Sequence, residues 1–191
     1  ASLGDVLRAW QGLGYNRRAK FLWQTAQYIA KSGWPENLTS LSGVGINTAG
    51  AIRVYAWNEP TVFVETNIRT VYMYHFAADA ENVSDDFIRE VLKQTLDHEH
   101  PREFYWALMD YGAWLKTQVR NNAQSAQYSR QSRFMGSKRQ VRGAVLKVLI
   151  TGPQTIQSLQ TCIHDDRLDV VIQELTTEGF VRKTGRMLQL T

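Results

Sequence analysis

Hydrophobic positions recur every three to four residues through most of this chain. Leu3, Val6, Leu7 and Trp10 mark a first helix, which "GLGYN" (Gly12–Asn16) interrupts. Ala19, Leu22, Trp23, Ala26 and Ile29 mark a second, stopped by "SGWPEN". The spacing predicts a third helix from Thr48 to Tyr55, ended at Asn58–Pro60, and a fourth that starts near Glu65 and turns Ile68, Val71 and Tyr72 inward. "SDDFIREVLKQTL" (Ser84–Leu96) opens on a Ser cap followed by two acids, which suit the positive end of a helix dipole. Phe104 to Leu115 gives a further, aromatic-rich helix. No segment before residue 135 alternates as a strand does, so this part reads as all-α.

Beyond residue 137 the elements become shorter. Val141, Val145, Leu146 and Leu149 make one helix, "TGPQTIQSLQ" a second after a Gly-Pro turn, and Arg167 to Thr176 a third with Leu168, Val171, Ile172 and Leu175 inward. "GFVRKTGRMLQL" (Gly179–Leu190) reads as two short strands around a Lys-Thr-Gly turn. Three helices closed by a hairpin resemble a winged helix, a fold that contacts DNA or other proteins. Its third helix carries Asp165, Asp166, Asp169 and Glu174, which would repel phosphates. The wing, with Arg182, Lys183 and Arg186, is the better expected DNA contact.

Composition narrows the classes. Of 191 residues 43% are hydrophobic and six are Trp, enough for a real core, which excludes a disordered chain. Lys and Arg number 22 against 18 Asp and Glu, an excess that alone says little about a polyanionic partner. The distribution says more. From Tyr111 through His164 there is no acid, while Lys116, Arg120, Arg130, Arg133, Lys138, Arg139, Arg142 and Lys147 fall there. Within it, Asn121–Ser137 is polar and Ser/Gln-rich, a linker or an extended arm whose bases meet a nucleic-acid backbone. Cys162 is the sole cysteine, which rules out an internal disulfide or an all-cysteine iron–sulfur site and fits a reducing, cytoplasmic setting. No apolar run reaches the length of a membrane span. His75, His98, His100 and His164 are scattered and read as structural. The chain opens on Ala1 and enters a helical pattern almost at once, so a trimmed chain or a fragment is the expectation.

The candidate chemistry lies in "LSGVGINTAGAI" and the segment after it. Gly43 and Gly45 bracket Val44 just before a helix, where glycine permits a sharp turn and close approach of another surface. The unpartnered N–H groups of that helix, with Asn47 and Thr48 side chains, would seat a phosphate. An ordinary helix–turn–helix corner carries the same glycines. Glu65 is a lone carboxylate at the head of the next helix, either a functional group or a first-turn acid favoured by the dipole.

"LSGVGINTAGAI" followed by "ETNIRTV" resembles the helix–hairpin–helix DNA glycosylase superfamily, and its spacing matches the A/G-specific adenine DNA glycosylase branch. "VLRAWQGLGYNRRAKFL" and "ALMDYGAWL" (Ala107–Leu115) are similar to further segments of that branch, so the resemblance spans roughly residues 1–118. It implies a helix–hairpin–helix glycosylase domain over 1–120; with the basic arm over 121–137 and the winged-helix-like α/β domain over 138–191, the whole chain reads as mainly α. It implies hydrolysis of the N-glycosidic bond of a mispaired base, adenine opposite guanine or 8-oxoguanine. Removal of uracil, thymine or an alkylated purine, or DNA binding on a degenerate scaffold, are the alternatives. Glu65 stands where the family has its catalytic Asp, one methylene longer. A lysine at the place of Asn47 attacks the sugar in the bifunctional branch; Asn cannot, so a monofunctional enzyme is implied.

Other roles follow from the same resemblance. Gly43, Val44, Gly45, Asn47 and Thr48 would meet DNA, and main-chain carbonyls of Thr39, Leu41 and Val44 would hold a monovalent cation. Tyr15 matches an aromatic beside the DNA wedge, or packs on Trp10. Arg120, Arg130 and Arg133 would replace the charge of the family's four-cysteine iron–sulfur loop, and Arg182 and Lys183 would add contacts from the wing. The family's upstream helices, with the general acid that protonates the departing base, have no counterpart in these residues, and a winged-helix-like unit stands where the lesion-reading domain is expected. The expected partner is duplex DNA with a mismatched or damaged base, bound by a nucleoid-associated monomer.

Overall fold

The computed structural model describes all residues, 1–191. Nine helices form: α1 (Leu3–Ala9), α2 (Asn16–Ser32), α3 (Ile46–Trp57), α4 (Thr66–Phe76), α5 (Asp85–Thr95), α6 (Pro101–Gln118), α7 (Lys138–Thr151), α8 (Ile156–Cys162) and α9 (Leu168–Thr177). Single 3-10 turns lie at Leu38–Ser40 and Asn122–Gln124. Strands β1 (Gln154–Thr155), β2 (Val181–Thr184) and β3 (Met187–Leu190) make an antiparallel sheet in the order β1-β3-β2. No helix is long and apolar enough to cross a membrane.

The chain divides into two compact units. A middle unit holds Glu36–Ser40 and Val44–Arg130; a terminal unit joins Ala1–Pro35, Leu41–Gly43 and Gln131–Thr191. The middle unit is all helical, as its pattern predicts. Its core gathers Val54 of α3, Phe63 and Val64, Ile68, Val71 and Met73 of α4, Ile88 and Leu92 of α5, and Tyr105 and Leu115 of α6. Ser84 caps α5 by accepting from the Phe87 amide (3.2 Å), as expected. Asp85 does more than meet a dipole: it is buried, and Arg69 of α4 grips it with two bonds of 2.5 and 2.7 Å. A buried charge holds only with such a partner, so this pair fixes α4 against the start of α5.

In the terminal unit, α7, α8 and α9 are closed by the β2–β3 hairpin, with Val181 opposite Leu190 and Thr184 opposite Met187. This is the winged-helix arrangement. The two-residue β1, too short to alternate, adds a third strand through Gln154–Leu188 and Thr155–Met187. Val145, Leu146, Leu149, Leu159, Val171, Leu175 and Phe180 form the core, and Leu3, Leu7 and Ala19 belong to the same cluster.

That last point differs from the expected boundaries of 1–120, 121–137 and 138–191. The first 35 residues pack with the C-terminal helices. Amphipathic spacing says which face of α1 is buried but not against what. Leu3 and Leu7 are almost fully enclosed, and a seven-residue helix acquires that burial only from a neighbour. The arm is divided too. Thr70 ties to its first half, with its carbonyl accepting from Asn121 Nδ2 (2.9 Å) and its hydroxyl donating to Asn122 Oδ1 (3.2 Å). Val83 bonds across to Gln124 and Ala126 (2.7 and 2.9 Å), so 121–126 is structure of the middle unit. The second half bonds to the terminal unit through Arg139 to Ser132 O (2.6 Å) and Arg167 to Gly136 O (3.0 Å).

Candidate active site

Glu65 ends the segment Thr61–Glu65, which the side chains of Tyr105 and Asn47 hold. The Tyr105 hydroxyl donates to the Thr61 carbonyl (3.1 Å) and accepts from the Phe63 amide (3.3 Å). Burial pushes this phenol well above its ordinary pKa, so it stays protonated and able to do both. The Phe63 ring stacks on Tyr105 at 4.3 Å, and Gly50 of α3 leaves room for it, since a Cβ there would fall 2.8 Å from Phe63 Cβ. One residue before the carboxylate, the Val64 amide donates to Asn47 Oδ1 (3.3 Å). Asn47 therefore links the first turn of α3 to the segment that presents Glu65.

Glu65 is the N-cap of α4, in extended conformation, with its side chain turned onto its own helix. Oε1 accepts from the amides of Asn67 (2.5 Å) and Ile68 (3.2 Å). This is the arrangement that satisfies free N–H groups at any helix start, here made by an acid one methylene longer than the usual capping Asp. Helix α6 completes the surroundings. Gly112 lies against the backbone of Asn67, Met109 Sδ is 3.8 Å from Asn67 Nδ2, and the Lys116 amine donates to Asn67 Oδ1. These positions, 109, 112 and 116, share one face of the helix. Burial lowers the Lys116 pKa, the Glu65 charge opposes that fall, and Arg69 adds to it. Tyr55 is raised by burial and by the same Glu65 charge. The half-buried carboxylate thus lies within electrostatic reach of Lys116, Arg69 and Tyr55.

The glycine corner has two separate reasons. Gly43 has φ +74°, a left-handed conformation, and a Cβ on it would come within 2.6 Å of Phe21 Cγ. Gly45 has φ −86° and caps α3 with no side-chain bond; a Cβ there would meet nothing within 4 Å. Gly43 makes the turn, while Gly45 keeps open space in front of the α3 amides. Ile46 at the first helical position is 71% exposed, and Thr48 is exposed beside it. An uncapped, uncrowded helix start is where an anion binds. Val44 is half-buried, Leu41 buried, and Thr39 exposed in the 3-10 turn with its amide and hydroxyl on Asn37 Oδ1 (3.1 and 2.7 Å).

The remaining positions singled out from sequence lie elsewhere. Tyr15 is in the terminal unit, left-handed at φ 49° and 58% exposed; Arg18 bridges its ring and that of Trp10, at 5.2 and 5.7 Å. Arg182 and Lys183 are exposed on β2 of the wing, and Arg120, Arg130 and Arg133 are exposed along the arm. No three His, Cys, Asp or Glu side chains gather to hold a metal. Residues missed by pattern reasoning are Tyr105, Asn67 and Lys116. The lysine closes the "YGAWLK" run one turn after Gly112, a spacing that carries it to the same helix face.

No protein-family model matches the chain. Curated relatives do. The chain is 33% identical over 215 aligned positions to the adenine DNA glycosylase of Mycobacterium tuberculosis (strain ATCC 25618 / H37Rv), covering 96% of this chain and 70% of that protein. It is 32% identical over 213 positions to the adenine DNA glycosylase of Mycolicibacterium smegmatis, covering 97% and 72%. Against that of Arabidopsis thaliana it is 33% identical over 138 positions, 68% of this chain and 22% of the plant protein. The mycobacterial similarity extends past residue 118 into the winged-helix part. With that coverage and those identities, the chain belongs to the adenine DNA glycosylase family.

Proposed function

We propose that this protein is a DNA repair glycosylase that hydrolyses the N-glycosidic bond of adenine mispaired with guanine or 8-oxoguanine, without strand cleavage. The observation that carries the reading is the half-buried Glu65 carboxylate, held at the end of a pinned segment whose last amide bond goes to the first turn of α3. Loss of the base leaves positive charge on the sugar, and a fixed carboxylate in a partly desolvated site lowers the energy of that state. Oε1 is engaged by the α4 amides, so Oε2 is the oxygen that would face the deoxyribose. The open α3 start beyond Gly45, with Asn47 and Thr48, would take the adjacent phosphate. Lys116 keeps Asn67, and through it the Glu65 cap, in position.

Asn47 supports the monofunctional reading, because an amide cannot form a Schiff base with the sugar. Three neutral carbonyls, of Thr39, Leu41 and Val44, suit a hard monovalent cation, which would add positive charge beside the phosphate. Arg120, Arg130, Arg133, Arg182 and Lys183 would contribute backbone contacts. A base-release panel tests the assignment, using duplexes with A:8-oxoG, A:G, U:G, T:G and hypoxanthine. Adenine released from the first two supports it; release of another base alone, or of none, overturns it.

A further inference from the structure

A concavity of about 980 Å3 lies wholly within the terminal unit, between the Gly12–Tyr15 loop with the first turn of α2 and the facing sides of α7 and α9. Two acids line it, and both are already paired. Glu178 is held by Arg17 (2.9 Å) and Arg142 (2.7 Å), which keep its pKa at about 2, and Glu174 takes Lys138. What is left facing the space is Arg18, Arg139 and Lys147, so the groove suits an anion. Two aromatic rings, Tyr15 (58% exposed) and Phe134 (56% exposed), stand on its wall. The backbone that carries Phe134 is anchored, since its carbonyl accepts from the Ser137 amide and hydroxyl at 3.0 and 2.6 Å.

Basic side chains alone would serve a duplex backbone or an acidic peptide, and neither of these would call for the Phe134 ring beside them. Rings beside phosphate-binding charges are the platform that unpaired bases use, because every base has a face to stack. The volume is at the upper end of small-ligand clefts and has room for more than one nucleotide. We propose that this groove holds unpaired nucleotides of single-stranded DNA, with bases against Tyr15 and Phe134 and phosphates against Arg139 and Lys147. The choice of DNA rests on the glycosylase reading; the groove itself does not.

The test is fluorescence anisotropy on the whole chain, with a labelled thymidine 12-mer and a duplex of the same length, at several salt concentrations. Lys147→Glu and Arg139→Ala together should weaken single-strand binding about tenfold or more and reduce the salt slope by about 1.4, roughly 0.7 per lost contact. Phe134→Ala should weaken it about tenfold with the slope unchanged. Duplex affinity should stay within about twofold in all variants. Lys147 is exposed, so Lys147→Glu alone remains informative if Arg139→Ala disturbs the arm. Unchanged single-strand affinity, or an equal loss on duplex, overturns the proposal. Wild-type protein that binds the 12-mer through these residues but releases no adenine would remove the glycosylase reading and leave this one standing.

Discussion

Gly112 and Asn67 touch backbone to backbone: a Cβ on Gly112 would fall 2.8 Å from the Asn67 carbonyl carbon. Neither partner is a flexible tip that can swing away. Gly112→Ala should therefore push α6 off the first turn of α4 and destabilise the protein by about 1–3 kcal/mol. Asn67 also donates to Glu65, so base release should fall further than DNA affinity. Thermal melts and single-turnover rates on the same preparation measure both; an unchanged rate with a lowered melting point would make Gly112 a packing residue only.

Tyr105→Phe leaves the ring stacked on Phe63 but removes the hydroxyl that serves Thr61 O and the Phe63 amide. A buried amide and a half-buried carbonyl lose their partner, at a cost of about 1–3 kcal/mol. The expected result is a lower urea midpoint together with slower excision, since the Thr61–Glu65 segment loosens. Equal midpoints for the two proteins would mean that another group takes over those bonds.

Asn47→Lys brings an amine to the start of α3, next to the segment that carries Glu65, while removing the bond to Val64. Borohydride added during turnover should trap no protein–DNA adduct with the wild type and a detectable one with the variant. A strong wild-type adduct would end the monofunctional reading.

Much of this was legible in the sequence. Helices such as α2 and α5 appeared at their observed places because each carries its own apolar stripe, whereas the third, read as Thr48–Tyr55, spans Ile46–Trp57 with little difference between its faces. The sixth, read from Phe104, begins three residues earlier at Pro101, where a proline suits a first helical position. Glu65 stood out as a helix-start acid and is one. What stayed hidden depends on long-range contact. Nothing local distinguishes Leu3 and Leu7, which pack with α7–α9, from residues facing their sequence neighbours. Lys116 looks like a solvated charge in a last helical turn until Asn67 is brought against it. Asp85 likewise looks like a dipole partner until Arg69 arrives.

Glu178 sets a pH dependence for the terminal unit. Hydrogen bonds from Arg17, then the charge and bonds of Arg142, hold its pKa at about 2 against an ordinary 4.5. The unfolded chain therefore binds the proton more readily. The stability this group contributes is complete above about pH 4.5 and is lost as pH falls towards about 2. Its size is on the order of 2 kcal/mol, reduced by the exposure of Arg17. Asp165, held near 2 by Arg167, titrates in the same range, so Glu178→Gln should remove part of the acid sensitivity. Urea midpoints at pH 6 and pH 3 should differ less in the variant than in the wild type. An equal drop would mean that the Arg17–Glu178–Arg142 cluster adds nothing to stability.

The proposed reaction turns on one carboxylate. The most direct measurement is the single-turnover rate of adenine release from an A:8-oxoG duplex by wild type and by Glu65→Gln, with duplex affinity measured alongside. Gln keeps an oxygen for the Asn67 and Ile68 amides, so folding and affinity should hold while the rate falls about 100-fold or more. A variant that releases adenine as fast as the wild type would show that Glu65 caps α4 and does nothing else.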